Sequence, residues 1–134
     1  MSVNSPCPCG TGNKYKKCCQ PFHKGKLPST ALELMRSRYC AYAFAITSYI
    51  IKTTHPKNID YSKNTTLWTQ DILQFSTSFT FKKLTILEFI EDIDSSYVTF
   101  TATIFQNTID QSFTEKSMFK KVNNQWLYHS GIHL

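Results

Sequence analysis

Residues 7–19 read CPCGTGNKYKKCC and hold four of the chain's five cysteines within thirteen positions. So many thiols in so short a stretch leave few ways for that end of the chain to fold. In an extended segment side chains repeat on one side every second residue, so Cys7 and Cys9 can converge on one point. Gly10 and Gly12 loosen the backbone that follows and permit a tight return. Residues 13–17 then form a turn or short helical piece that brings Cys18 and Cys19 back to the first pair. Four thiolates around one ion are the donor set of a closed, tetrahedral, structural zinc site. Tyr15 and Phe22 are the only large apolar side chains of the segment, so one bound Zn2+, rather than burial, is expected to order it.

Other thiol chemistries fit less well. A chain of 134 residues can bury a core without covalent staples. The start, MSVNSPCPCG, has neither the basic nor the apolar region of a secretory signal, and no apolar run approaches a membrane span. A cytoplasmic setting away from membranes is therefore expected, where thiols stay reduced and disulfides are rare. The redox spacing C-x-x-C is absent, and the common iron–sulfur spacings differ from C-x-C with C-C. His23, four residues beyond Cys19, is an alternative ligand that could replace one cysteine. Cys40 falls in a helical pattern and reads as a small core residue.

The formal net charge of +6 is confined to one end. Residues 1–38 hold seven Lys and Arg against Glu33 alone, while residues 39–134 balance. Lys14, Lys16 and Lys17 lie between the cysteine pairs and are candidate partner-binding residues for an acidic surface. The competing reading is that they offset the negative charge of a metal-bound thiolate cluster and keep the chain soluble.

Beyond the connector QPFHKGKLPS the pattern becomes helical. Thr30 with Glu33 forms a capping box. Leu32, Met35, Tyr39, Tyr42, Ile46 and Tyr49 then follow at spacings of three and four, predicting one helix to about residue 52. The stripe suits core packing or the wall of a pocket. His55-Pro56 ends it. LWTQDILQF sets Trp68, Ile72 and Phe75 on one side of a short helix. From residue 79 the period shortens to that of strands, although the register of FTFKKLTILEFIEDI is ambiguous. Val98, Phe100, Ala102 and Ile104 alternate with threonines on another strand. Residues 112–122 and QWLYHSGIHL form a hairpin about Asn123-Asn124, in which Val122 faces Gln125, Lys121 faces Trp126 and Phe119 faces Tyr128. Glu115 then shares a face with Phe113, Phe119, Trp126 and Tyr128. It lies either at a wet sheet edge or in a cavity facing Arg36 or Arg38. Helix followed by antiparallel strands gives an α+β domain with helices over one face of a bent sheet.

CPCGTGNKYKKCC resembles the SEC-C motif, the zinc-binding element also found at the C-terminus of the bacterial preprotein translocase ATPase, with Gly-Thr-Gly in place of the usual Gly-Ser-Gly. That resemblance places the metal ligands at Cys7, Cys9, Cys18 and Cys19. LMRSRYCAY at 34–42, the Thr54-His55-Pro56 stretch, Leu67-Trp68, Val98–Ala102 and Phe113–Phe119 through Tyr128 together resemble the bacterial YchJ family. This second resemblance implies a zinc knuckle over residues 1–27. Residues 28–134 would then form a nuclear transport factor 2-like (cystatin-like) domain, a curved antiparallel sheet wrapped by helices into a cone. It also implies a pocket between helices and sheet, with Arg36, Arg38, Tyr39, His55, Trp68, Glu115 and Trp126 as candidate lining residues.

Two functions are then expected. The first is a non-catalytic zinc-binding protein whose basic knuckle docks on a protein or ribosomal partner; motif analogy points to an export chaperone or the ribosome. Nucleic acid enters only through the ribosome, and a homodimer through the open sheet face is compatible. The second is an isomerase- or dehydratase-like enzyme using His55 or Glu115 as base. No nucleophile with its own base, phosphate loop or open metal site is present in the sequence, so no residue is assigned as catalytic.

Overall fold

The computed structural model describes residues 2–134. The cysteine segment forms a loop closed by an isolated bridge between Pro6 and Lys14. A 3-10 turn (Tyr15–Lys17) and a four-residue helix α1 (Gln20–His23) follow. Gly10 and Gly12 take φ of 87° and 86°, left-handed values that favour glycine. The loop is not an appendage. Tyr15 and Phe22 are buried and join one continuous core with Leu34, Met35 and Tyr49.

Helix α2 (Ala31–Ala43) starts at Thr30, whose hydroxyl accepts the Glu33 amide at 3.1 Å. Glu33 reaches back to the amide of Ser29 rather than that of the cap residue itself. The single long helix predicted to residue 52 is divided into α2 and α3 (Thr47–Lys52). The break lies at Ala45, which takes a φ of 57°. Ala45 donates to the Tyr42 carbonyl and Ile46 to that of Ala41, the two bonds of a Schellman closure. The spacing of the apolar stripe carries across the break, which is why it suggested one helix. Helix α4 (Thr65–Ser78) is longer than LWTQDILQF and begins at Asn64, whose side chain accepts the Leu67 amide. Its buried residues are Trp68, Ile72 and Ser76.

The strands β1 (Thr80–Ile90), β2 (Ser95–Gln106), β3 (Ile109–Asp110), β4 (Phe113–Val122) and β5 (Gln125–His133) form one antiparallel sheet of order β1-β2-β4-β5. The short β3, not anticipated from sequence, pairs with the end of β2. Register shifts at Phe81/Lys83 and Ile86/Glu88 explain why the alternation in β1 was unreadable, since each extra residue inverts the inward set. Val98, Phe100, Ala102 and Ile104 are all buried. The β4–β5 hairpin pairs Val122 with Gln125, Lys121 with Trp126 and Phe119 with Tyr128. Asn123 and Asn124 have φ of 51° and 62°, as a two-residue I′ turn requires. Beyond Phe119 a further register shift adds curvature to the sheet. The α+β architecture is thus helices α2–α4 packed on a bent antiparallel sheet.

Ala45 is the one non-asparagine among the described non-glycine residues at positive φ. Ala45→Gly is expected to stabilise the fold by about 1 kcal/mol by removing the Cβ penalty, read as a higher midpoint of urea unfolding with an unchanged slope. A lower midpoint would mean that the packing of the Ala45 methyl outweighs its backbone strain.

Candidate functional site

The Sγ atoms of Cys7, Cys9, Cys18 and Cys19 all lie within 4.8 Å of one another. Tetrahedral coordination with metal–sulfur bonds of about 2.3 Å requires sulfur–sulfur separations of about 3.8 Å, so the spacing fits an ion at the centre. All five cysteines are free thiols. Burial pushes the Cys18 thiol up to about 11, and the Cys40, Cys7 and Cys9 sulfurs around Cys19 push its thiol up as well. Crowded sulfurs of this kind shed their protons together only when a cation takes their place. The donors are soft, and Cys7, Cys9 and Cys19 are buried. Four cysteines fit a metal ion and leave no open position on a tetrahedral one.

The supporting contacts explain how a short loop holds this geometry. Thr11 sits where the motif has serine. Its hydroxyl accepts the Asn13 amide at 3.2 Å and lies 3.1 Å from the Cys18 sulfur, so its proton is free to point at that sulfur. His23 is not a ligand. Its Nε2 donates to the Ser37 carbonyl at 2.9 Å, and its Nδ1 accepts from the Tyr15 hydroxyl at 2.7 Å. Both ring nitrogens are spent and burial lowers its pKa, so the ring is neutral and acts as a strut. Arg36 donates to the Cys9 carbonyl at 2.6 Å. Cys40 Sγ lies 3.8 Å from Cys7 Sγ. Sequence spacing gave no sign that this fifth cysteine abuts the cluster. Lys14, Lys16 and Lys17 are exposed on the outside of the loop.

On the opposite side of α2 lies a cavity of about 420 Å³ between the helices and the concave sheet. Of the candidate lining residues, Arg38, Tyr39, Trp68 and Glu115 face it. Arg36, His55 and Trp126 do not. Arg36 reaches from α2 to the cysteine loop, one helical face away from Arg38. His55 is held by the turn after α3, where its amide donates to the Tyr128 carbonyl and its ring meets that of His129. Trp126 is buried with its indole N–H donating to the Ser29 carbonyl at 3.3 Å.

Glu115 forms no ion pair with either arginine. Its carboxylate accepts from Ser117 and, at 2.9 Å, from the Tyr128 hydroxyl, and the exposed His133 ring lies 3.4 Å from its other oxygen. Burial, and then the Glu115 charge, raise the Tyr128 pKa, which keeps that hydroxyl a donor. A methyl group at Gly131 would collide with both the carboxylate and the Tyr128 hydroxyl. The glycine in β5 therefore leaves the space through which Glu115 reaches its partner. Tyr128 and Gly131 were not anticipated as site residues. Tyr128 could have been found from the hairpin register, which sets it beside Glu115 on one face.

The family described as "YchJ, middle NTF2-like domain" matches residues 30–131, and the SEC-C motif matches residues 4–21. A UPF0225 protein of Sodalis glossinidius is 34% identical over 137 residues, covering 98% of this chain and 86% of the relative. One from Streptomyces coelicolor is 34% identical over 133 residues, covering 94% of each. Among solved structures, a SEC-C motif containing protein from Rhodopseudomonas palustris superposes with a TM-score of 0.83 at 28% identity, covering 97% of this chain and 99% of that one. Another from Psychrobacter arcticus gives 0.81 at 25% identity, covering 97% and 84%.

Thr11→Val keeps the side-chain shape but removes the hydroxyl from Cys18. It is expected to weaken metal retention about tenfold, as for other groups that support a ligand from behind, measured by competition with a chromophoric chelator. Equal retention would show that the hydroxyl contributes nothing.

Proposed function

Because the chain belongs to the YchJ (UPF0225) family, we propose that it is a zinc-binding docking protein of the bacterial cytoplasm. One Zn2+ held by Cys7, Cys9, Cys18 and Cys19 orders the loop, and its basic outer surface engages an acidic partner, a chaperone or the ribosome. Zinc is favoured over other ions by the four-sulfur donor set and by its indifference to redox state. A closed four-thiolate site is structural, since no position remains for water or substrate. Cytoplasmic placement suits five thiols that are all free.

The observation that carries the docking reading is the contrast between the two sides of the loop. The inner side is fixed to α2 by Arg36 and His23. The outer side presents Lys14, Lys16 and Lys17, and Lys24 follows at the end of α1, all exposed. Among the described residues no lysine is ion-paired; the one salt bridge joins His133 and Glu115. Four thiolates with one zinc carry a charge of about −2, less than these lysines supply. The excess remains available to a partner. The enzyme reading is weaker, because His55 lies outside the cavity that Glu115 faces.

Metal analysis of the purified protein is expected to give one zinc per chain. Exhaustive chelation should abolish the dispersed amide resonances of residues 5–23 and lower the melting temperature of the whole domain, since the loop shares its core. A loop that stays ordered without metal would overturn the structural role. Reversing charge at Lys14, Lys16 and Lys17 to Glu is expected to leave zinc content unchanged and to abolish capture of ribosomes or chaperones from bacterial lysate. In the unaltered protein that capture should weaken as salt rises. Undiminished capture by the variant, or none by the original, would sink the docking reading.

A further inference from the structure

We propose that the cavity is a binding site for a small organic monocarboxylate with an apolar, preferably aromatic, body, and that Arg38 receives the carboxylate. Arg38 is 7% exposed, and its guanidinium has no carboxylate partner among the described residues. One nitrogen, Nη1, donates to neutral oxygens: the Ile50 carbonyl at 3.2 Å, Thr53 Oγ1 at 2.8 Å and Thr54 Oγ1 at 3.1 Å. These bonds fix the plane of the group. Its Nε and Nη2 N–H groups donate to no described residue. Nor are they sealed orphans, since the buried side-chain atoms without a partner are those of Tyr39 and Ser76. They therefore open on the cavity that Arg38 lines.

That free edge has the spacing of a carboxylate, which it can bind through two parallel hydrogen bonds. The Tyr128 ring lies 4.7 Å beneath the guanidinium and offsets part of the cost of burying the cation. It also blocks one face, so an anion must approach edge-on. A buried cation without an anionic partner is costly, and a bound carboxylate would relieve that cost.

The remaining walls define the rest of the ligand. Trp68, Phe75, Phe100 and Phe113 line the cavity, so an apolar body is favoured. Pockets of a few hundred Å³ with aromatic walls and few polar groups are typical small-molecule sites. Charge sets an upper limit. Glu115 faces the same space, and the exposed Asp60 and Asp71 stand at its margin. A dianion such as a phosphate monoester would meet these carboxylates and gain from only one arginine, whereas a monoanion is matched by Arg38.

The test uses the zinc-loaded full chain and two pairs of probes, phenylacetate with phenylacetamide and hexanoate with hexanamide, with phenyl phosphate as the dianion. Calorimetric titration is expected to give at least tenfold tighter binding of each acid than of its amide, and weaker binding of phenyl phosphate than of phenylacetate. The Arg38 Nε–H resonance should shift with the acids and not with the amides. Arg38→Met should abolish the preference, and Trp68→Ala should weaken acid and amide alike. Because Arg38 also fastens α2 to the end of α3, the acid–amide comparison on the unaltered protein decides the matter by itself. Equal binding of acid and amide, preference for phenyl phosphate, or no binding of any probe at millimolar concentration would overturn the proposal. The lysine variants of the loop should bind phenylacetate normally, so failure here and failure of the docking reading are separable.

Discussion

His23 donates to the Ser37 carbonyl and accepts from Tyr15, and this strut fastens the cysteine-bearing turn to the middle of α2. Arg36 adds a second tie to the Cys9 carbonyl, while Cys40 brings the helix into contact with Cys7. Residues 36, 37 and 40 lie on one helical face. Met35, Arg38, Tyr39 and Tyr42 lie on the other and line the cavity. A single helix is therefore the common wall of the thiol cluster and the pocket. Its position depends on both, because the loop contributes Tyr15 and Phe22 to the core that supports it.

The cavity is held open by polar groups that satisfy one another. Glu115 could not be tolerated among Phe100, Phe113 and Phe119 without donors, and Ser117 and Tyr128 supply them. Tyr128 serves four neighbours at once. Its ring carries Arg38, its hydroxyl holds Glu115, and its backbone exchanges hydrogen bonds with Thr53 and His55. The register shift near Phe119 and the missing side chain at Gly131 make this arrangement fit. Removing Glu115 leaves the buried Ser117 hydroxyl without its acceptor, which costs about 1–3 kcal/mol.

The four cysteines were readable because ligand chemistry is local: C-x-C, two glycines and C-C can converge on one point within a single turn of chain. The capping box at Thr30, the alternation of β2 and the Asn-Asn turn were readable for the same reason. The division between α2 and α3 was not, because an alanine in the left-handed conformation leaves no compositional mark and the apolar spacing runs through it. The bulges of β1 hid its register, since each inserts a residue that local pattern cannot distinguish from a change of face.

The candidate pocket residues show the limit most clearly. Arg36 and Arg38 are two positions apart, and sequence offered both as partners of Glu115. The helical rotation of about 100° per residue sends one to the thiol loop and the other into the cavity. His55 was attractive as a base, yet the backbone pairing of the post-α3 turn with Tyr128 turns it away from Glu115. The sequence by itself determined the soft four-sulfur donor set, the basic character of its surroundings and the helix-then-sheet order, because each depends on neighbours within a few positions. Only the tertiary structure decided that the loop shares the core, that Cys40 meets Cys7, and that Arg38 is buried with no carboxylate partner among the described residues. Those facts depend on contacts between segments far apart in the chain, set by packing rather than by local spacing.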